Sequence, residues 1–483
     1  SRPAAKPLVR ESIAASVVIG DTTFDSPHLG LVGELRPDRR RLAVSLTKPQ
    51  CLVLLGYMGS GKSYALGVLT ENALLPSGPL VRQTRPMAVV AFNYRKNAES
   101  RFEYGGFARP NADPGQVETL RARYGAAPAA VSAVNVFGFE PELARRRADY
   151  EGCATYPIRF RPDELDAEHW AILMKPPSPQ SEYMDVIRHV IQKLFYEERL
   201  TLKYLERGIL TDERLTETQR GRAMNRLSFA REWIADERPY EWGDVLREGT
   251  LSVFDLRMQT LAPSEALKLC LVVTDLVRRT RNGVNKMVVF DEAHEYIDCK
   301  ELVADLENAI TQIRHDGLSF VLASQFPERI PERIFKYLLT RLIFKLPSGK
   351  AIACVRSAAP NLATLSPRQL SDLGLEQGVC FVQSDDDCTD PSLKIGQLLE
   401  IRPRCTQHGG ATVRQTGTAA GGNGEPAVTP EPDADGHRTL GELNEEADVS
   451  WNKFLKGLGL PPDAGLTPQM TLAEARSIVA ERI

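Results

Sequence analysis

Residues 56–63 read Gly-Tyr-Met-Gly-Ser-Gly-Lys-Ser, a complete G-x-x-x-x-G-K-S pattern. These residue types at this spacing suit one task, holding the phosphates of a nucleoside triphosphate. Gly59 and Gly61 permit positive φ angles and let backbone approach a ligand closely. Lys62 would reach the β- and γ-phosphates, and the Ser63 hydroxyl would hold Mg²⁺. Gly56, Gly59, Ser60, Gly61, Lys62 and Ser63 are therefore candidate nucleotide-binding residues. The same string in a Gly-containing turn would be inert, so its setting matters. An apolar run, CLVLL at 51–55, precedes it, and a helix-like run, YALGVL at 64–69, follows. Strand, loop and helix in that order aim backbone N–H groups and a helix N-terminus at an anion.

A second constellation supplies what such a loop lacks. The run VVFDEAH at 288–294 is an apolar strand ending in two carboxylates. Alone, such a pair describes a solvated turn. Beside a phosphate loop, Asp291 is placed to hold Mg²⁺ through its water shell and Glu292 to polarise the attacking water. A third strand, SFVLASQ at 319–325, ends in Gln325, a candidate to sense the γ-phosphate or hold that water. The literal Asp-Glu-Ala-His string invites a helicase of two RecA-like domains. However, its arginine motif has only one similar string, Gln219-Arg220-Gly221-Arg222, which lies upstream of Asp291, and fewer than 200 residues follow Glu292. A GTPase is also disfavoured, because Asn285-Lys286-Met287-Val288 lacks the Asp of a guanine-reading motif.

The elements that must position these groups alternate. Strands are expected at 87–92, 251–256, 286–290, 319–323, 341–344 and 379–382, with helices at 263–281 and 301–314. Strands alternating with helices imply a mainly parallel α/β sheet. Residues 1–48 read as a short β-rich lead-in, and 49–180 as the first part of the core. From Tyr183 the apolar spacing turns helical, with Met184, Ile187, Ile191, Leu194 and Phe195 on one face, so 181–245 reads as a helical insertion. Residues 246–404 resume the core, 405–438 have the Gly, Thr, Ala and Pro composition of a disordered linker, and 439–483 read as a small helical tail module.

Bulk properties bound the partners. The 483 residues carry a net charge of −3, so any nucleic-acid contact must come from local patches or from a channel built by several subunits. The eight cysteines are scattered without a C-x-x-C pair, which disfavours a zinc site and fits a reducing cytoplasm. No stretch approaches 18 uninterrupted apolar residues, so no membrane segment is expected.

Four segments together resemble the HerA–FtsK superfamily of ring-forming P-loop ATPases, closest to its HerA branch. They are the loop at 56–63 followed by Tyr64, which the resemblance adds to the nucleotide-binding residues, the strand at 289–294, Ile313-Arg314-His315-Asp316-Gly317-Leu318, and Leu322-Ala323-Ser324-Gln325-Phe326-Pro327. The resemblance implies a RecA-like core that binds ATP and Mg²⁺ between the subunits of a homo-oligomeric, hexameric ring. It also implies an arginine from the neighbouring subunit. Arg341 and Arg314 match best by position, and Arg278, Arg279, Arg281 and Arg329 less well. About fifty residues precede the loop, fewer than the complete N-terminal β-barrel usual in the HerA branch. The function implied is an ATP-driven motor on double-stranded DNA, working with a nuclease or other effector in DNA processing or antiviral defence. A secretion or conjugation ATPase and a nucleotide-switched component of a defence complex are the alternatives. DNA-stimulated hydrolysis separates the first reading from the other two.

Overall fold

A computed structural model of the chain describes residues 13–95, 104–175, 183–235, 237–297, 299–346, 348–358, 361–362 and 376–409, with Glu301 and Arg314 described through their backbone alone. All of these fall in one compact unit, Ser1–Thr412. The expected tail module, and the expected linker from 410 onward, lie outside the described residues.

Among the described residues the frame is one sheet of fourteen strands. In chain order they are β1 (Val17–Ile19), β2 (Leu29–Leu35), β3 (Arg41–Ser45), β4 (Cys51–Leu55), β5 (Val81–Arg82), β6 (Ala88–Asn93) and β7 (Ala133–Gly138). There follow β8 (Ala154–Pro157), β9 (Thr250–Asp255), β10 (Lys286–Asp291), β11 (Ser319–Ser324), β12 (Thr340–Ile343), β13 (Val379–Ser384) and β14 (Gln397–Ile401). The spatial order is β1-β3-β2-β14-β13-β12-β4-β11-β10-β6-β9-β7-β8, with β5 paired to β2. From β12 to β8 every neighbouring pair is parallel. The strands β13, β14 and β2 are joined antiparallel. The phosphate-loop strand β4 is separated from the carboxylate strand β10 by β11, so this is the expected RecA-like α/β arrangement.

The parallel strands read as unbroken apolar runs because both of their faces are covered. Successive residues serve opposite cores. Val53 and Leu55 join one cluster with Phe92, Phe290 and Leu322, while Leu52 and Leu54 join another with Leu66 and Leu69 of the helix Lys62–Leu74. Each such side chain, fully buried, contributes about 1.5–3 kcal/mol. The four central tips that carry polar residues are thus fixed on a stiff support.

Three boundaries differ from expectation. The β-rich lead-in is no separate piece: β2 pairs with β14 across the chain, with Leu35 opposite Leu399. The helical insertion starts before 181, because the helix Ala167–Met174 packs on Tyr183–Tyr196 and Glu217–Arg231 as well as on the core helix Pro263–Arg279. At eight residues it is too short to show a period, yet Trp170, Leu173 and Met174 are buried. Phe195 is exposed, and Val190 takes the inward place on its helix. Finally, the core extends past 405. Cys405 and Thr406 donate backbone N–H bonds to Glu71 on the phosphate-loop helix, at 3.0 and 2.8 Å.

No helix among the described residues is long and apolar enough to cross a membrane.

Candidate nucleotide site

The phosphate loop springs from β4 and turns directly into the helix Lys62–Leu74. Gly59 and Gly61 have φ of 81° and 102°, in the left-handed region where a side chain is strained. A Cβ on Gly61 would also meet the backbone of Gly378 at 3.0 Å. Gly56 donates its N–H to the Ser324 carbonyl at 3.2 Å, so it ties the loop to β11. Ser60 fixes the loop's own curve, its hydroxyl donating to the Tyr57 carbonyl at 2.7 Å. Gly61, the N-cap of the helix, offers no capping side chain, and no acidic residue lies in the first turn. The positive end of the helix and its N–H groups are thereby left for an anion.

The carboxylates meet this loop from the tip of β10. Glu292 sits at φ 47°, a left-handed conformation rare for a residue with a Cβ, and its N–H donates to Asp291 Oδ1 at 2.9 Å. Lys62 Nζ lies 3.2 Å from Glu292 Oε2, and both side chains are buried. Gln325 Nε2 donates to Glu292 Oε1 at 2.9 Å. The loop lysine, the second carboxylate and the glutamine named from sequence are therefore brought together. Burial works against the charge on both acids. At Glu292 the cations Lys62 and Arg95 outweigh it and hold the carboxyl below its usual range, whereas at Asp291 burial prevails and the carboxyl is raised. His294 is pushed down to about 4 by burial, so its imidazole is neutral near pH 7. Its Nδ1 accepts the Gln325 N–H at 3.3 Å.

The donors fit a small divalent cation. Ser63 and Asp291 supply a hydroxyl and a carboxylate, the oxygen ligands Mg²⁺ prefers. On the neighbouring strand β6, Asn93 stands opposite Asp291 in register, and its buried Oδ1 has no hydrogen-bond partner among the described residues.

Other expected residues lie elsewhere. Tyr64 turns away from the loop: its hydroxyl donates to Gln116 Oε1 and accepts the Arg404 N–H, both at 2.7 Å. Arg341 is buried within the sheet, bonded to Asp385 at 2.5 Å and Gln383 at 2.7 Å. Its side chain is only 3% exposed, which does not suit an arginine reaching into a neighbouring subunit. Arg314 lies near the C-terminus of the helix Val303–His315, just before β11 begins. In a parallel crossover that is the sheet edge opposite the loop. Arg278 and Arg279 occupy the same far edge, held by Asp275, Asp316 and Asp166, and Arg281 lies 3.9 Å from Asp316. Arg329 differs: it is exposed just beyond Gln325, with its guanidinium 5.0 Å from the Phe326 ring centroid.

Sequence reasoning missed Arg95. Two residues past β6, its Nη2 lies 2.9 Å from Glu292 Oε1. The signal was available, since Asn93-Tyr94-Arg95 is the polar end of an apolar run, and sites gather at the carboxyl ends of parallel strands.

No family model and no curated protein matches the sequence. Solved structures similar to it include VirB4 of Thermoanaerobacter pseudethanolicus, at 12% identity and a TM-score of 0.47, over 77% of this chain and 96% of that one. The plasmid coupling protein TrwB in complex with the ATP analogue ADPNP is similar at 12% identity and a TM-score of 0.44, over 75% and 89%. The genome packaging NTPase B204 from Sulfolobus turreted icosahedral virus 2, in complex with AMP, is similar at 10% identity and a TM-score of 0.29, over 70% and 92%.

Proposed function

We propose that this chain is a Mg²⁺-dependent ATPase of the HerA–FtsK type, acting in the cytoplasm as a hexameric ring that draws double-stranded DNA through its centre. A nuclease or other effector would use the DNA so delivered. One observation carries the chemical part: Lys62 at the start of the phosphate-loop helix, and Glu292 and Gln325 just past the neighbouring strands β10 and β11, converge within hydrogen-bond distance.

On this reading the loop's N–H groups and Lys62 grip the β- and γ-phosphates. Ser63 and Asp291 would hold the Mg²⁺, which when bound would offset phosphate charge. Lys62 exchanges Glu292 for the phosphates. Glu292 then accepts a hydrogen bond from a water and aims its oxygen at the γ-phosphorus. The new P–O bond forms as the bond to the bridging oxygen breaks, leaving ADP and phosphate, with the water's proton passing to Glu292. Gln325 keeps Glu292 on line. Arg329, exposed at the site's edge, is the arginine we assign to the neighbouring subunit's phosphates.

The test for the motor is displacement of a labelled third strand from a linear duplex. The wild-type protein is expected to displace it only with ATP, and Lys62→Ala not at all. ATP hydrolysis without displacement, and without stimulation by the duplex, contradicts translocation.

A further inference from the structure

Glu292 has more partners than a water-polarising carboxylate can keep. Its Oε2 is bonded to Lys62, while its Oε1 takes both Gln325 Nε2 and Arg95 Nη2, each at 2.9 Å. The two oxygens therefore have different fates. Lys62 is the group that a nucleotide's phosphates claim, so Oε2 loses its cation when substrate is held. His294 Nδ1 lies 3.5 Å from Oε2, but that nitrogen is the acceptor of the Gln325 N–H and cannot also donate. A buried carboxylate stripped of its last cation would be costly to keep charged. Arg95 is the cation that stays.

The backbone under Arg95 is well anchored. Tyr94 is fully buried, its hydroxyl donates to the Leu261 carbonyl at 2.6 Å, and its ring packs edge-on against Tyr296, 5.9 Å between centroids. One residue earlier, the Asn93 carbonyl accepts the Leu256 N–H at 2.8 Å. Asn93 and Tyr94 are thus tied to the segment that follows β9 and to Tyr296 beyond β10, and Arg95 comes directly after them.

We propose that Arg95 is a positioning residue that, with Gln325, pins Oε1 of Glu292 and leaves Oε2 to face the attacking water once Lys62 has turned to the phosphates. The inference rests on reading the site as an ATPase. Arg95 acts through Glu292 and holds no phosphate itself.

The test is a double-mutant cycle on the full chain, with ATP turnover and binding of a non-hydrolysable ATP analogue measured separately. Arg95→Ala should lower kcat by about 10–100-fold, the usual cost of removing a partner that orients a reacting group, with analogue affinity nearly unchanged. Arg95→Lys should recover part of kcat. In a Glu292→Gln background Arg95→Ala should cost nothing further, because residues acting as one unit are not additive. A fall in analogue affinity matching the fall in kcat would make Arg95 a phosphate ligand and overturn the proposal. Unchanged kcat, or full additivity, would overturn it too. If Glu292→Gln itself retains normal turnover, the ATPase reading of the site has failed, which is a separate result.

Discussion

Glu292 combines a strained backbone at φ 47° with a buried charge held by Lys62 and Arg95. A left-handed residue with a Cβ costs on the order of 1–3 kcal/mol, and such strain persists where surrounding contacts over-determine it. Here those contacts are the groups that would serve hydrolysis. The arginines separate along the same line. Arg341→Ala leaves the Oε1 of buried Gln383 without its guanidinium donor, and should lower unfolding stability by about 1–3 kcal/mol. Arg329→Ala touches an exposed side chain and should leave stability within about 0.5 kcal/mol while depressing ATP turnover. Denaturant unfolding and an ATPase assay on both variants check this, and the reverse pattern would restore Arg341 as the residue acting between subunits. Lys62, Asp291 and Glu292 were legible because phosphate chemistry fixes residue type and spacing locally. Arg95 was legible only as a polar residue at a strand end; its pairing with Glu292, 197 residues away in the chain, is set by the sheet's register.

At the scale of elements, the segment 402–409 is the clearest departure from a reading by composition. Its first three residues were expected in the core, but 405–409 have the composition of a linker start, because Gly and Thr accumulate just beyond them. Cys405 and Thr406 are nonetheless buried and bonded to Glu71, as are the fully buried Arg402 and Arg404, and Glu71 is itself fully buried on the helix that begins at Lys62. Asn72 accepts from Arg402 at 3.0 Å, and the His408 ring lies 5.3 Å from that of Tyr64. This strap runs along the helix that carries the phosphate loop. A protein ending after Gly409 should therefore keep its fold and basal ATP hydrolysis. One ending after Ile401 leaves Glu71 buried without a counter-charge, and should lose about 3–5 kcal/mol. Thermal melts of the two truncations decide it, and equal melting temperatures would show that the strap is dispensable. The central strands were legible as apolar runs bounded by turns. The short helix Ala167–Met174 and the pairing of β14 with β2 were not, because neither has a local pattern long enough to declare itself.

Across the whole molecule, a sheet of fourteen strands places the polar tips of β4, β11, β10 and β6 side by side at one edge. That order was foreseeable in kind from alternating strands and helices, but which strand lies beside which depends on long-range packing that no single segment encodes. The central claim is that these tips form one hydrolytic site serving a DNA motor. It is tested most directly by steady-state ATP hydrolysis with Mg²⁺, with and without linear duplex DNA, comparing wild type with Glu292→Gln. The account predicts hydrolysis stimulated by the duplex in the wild type. It predicts a loss of about 10²–10³-fold in Glu292→Gln, with ATP binding retained. Near-normal hydrolysis by Glu292→Gln, or a wild-type protein that binds no ATP, would contradict it.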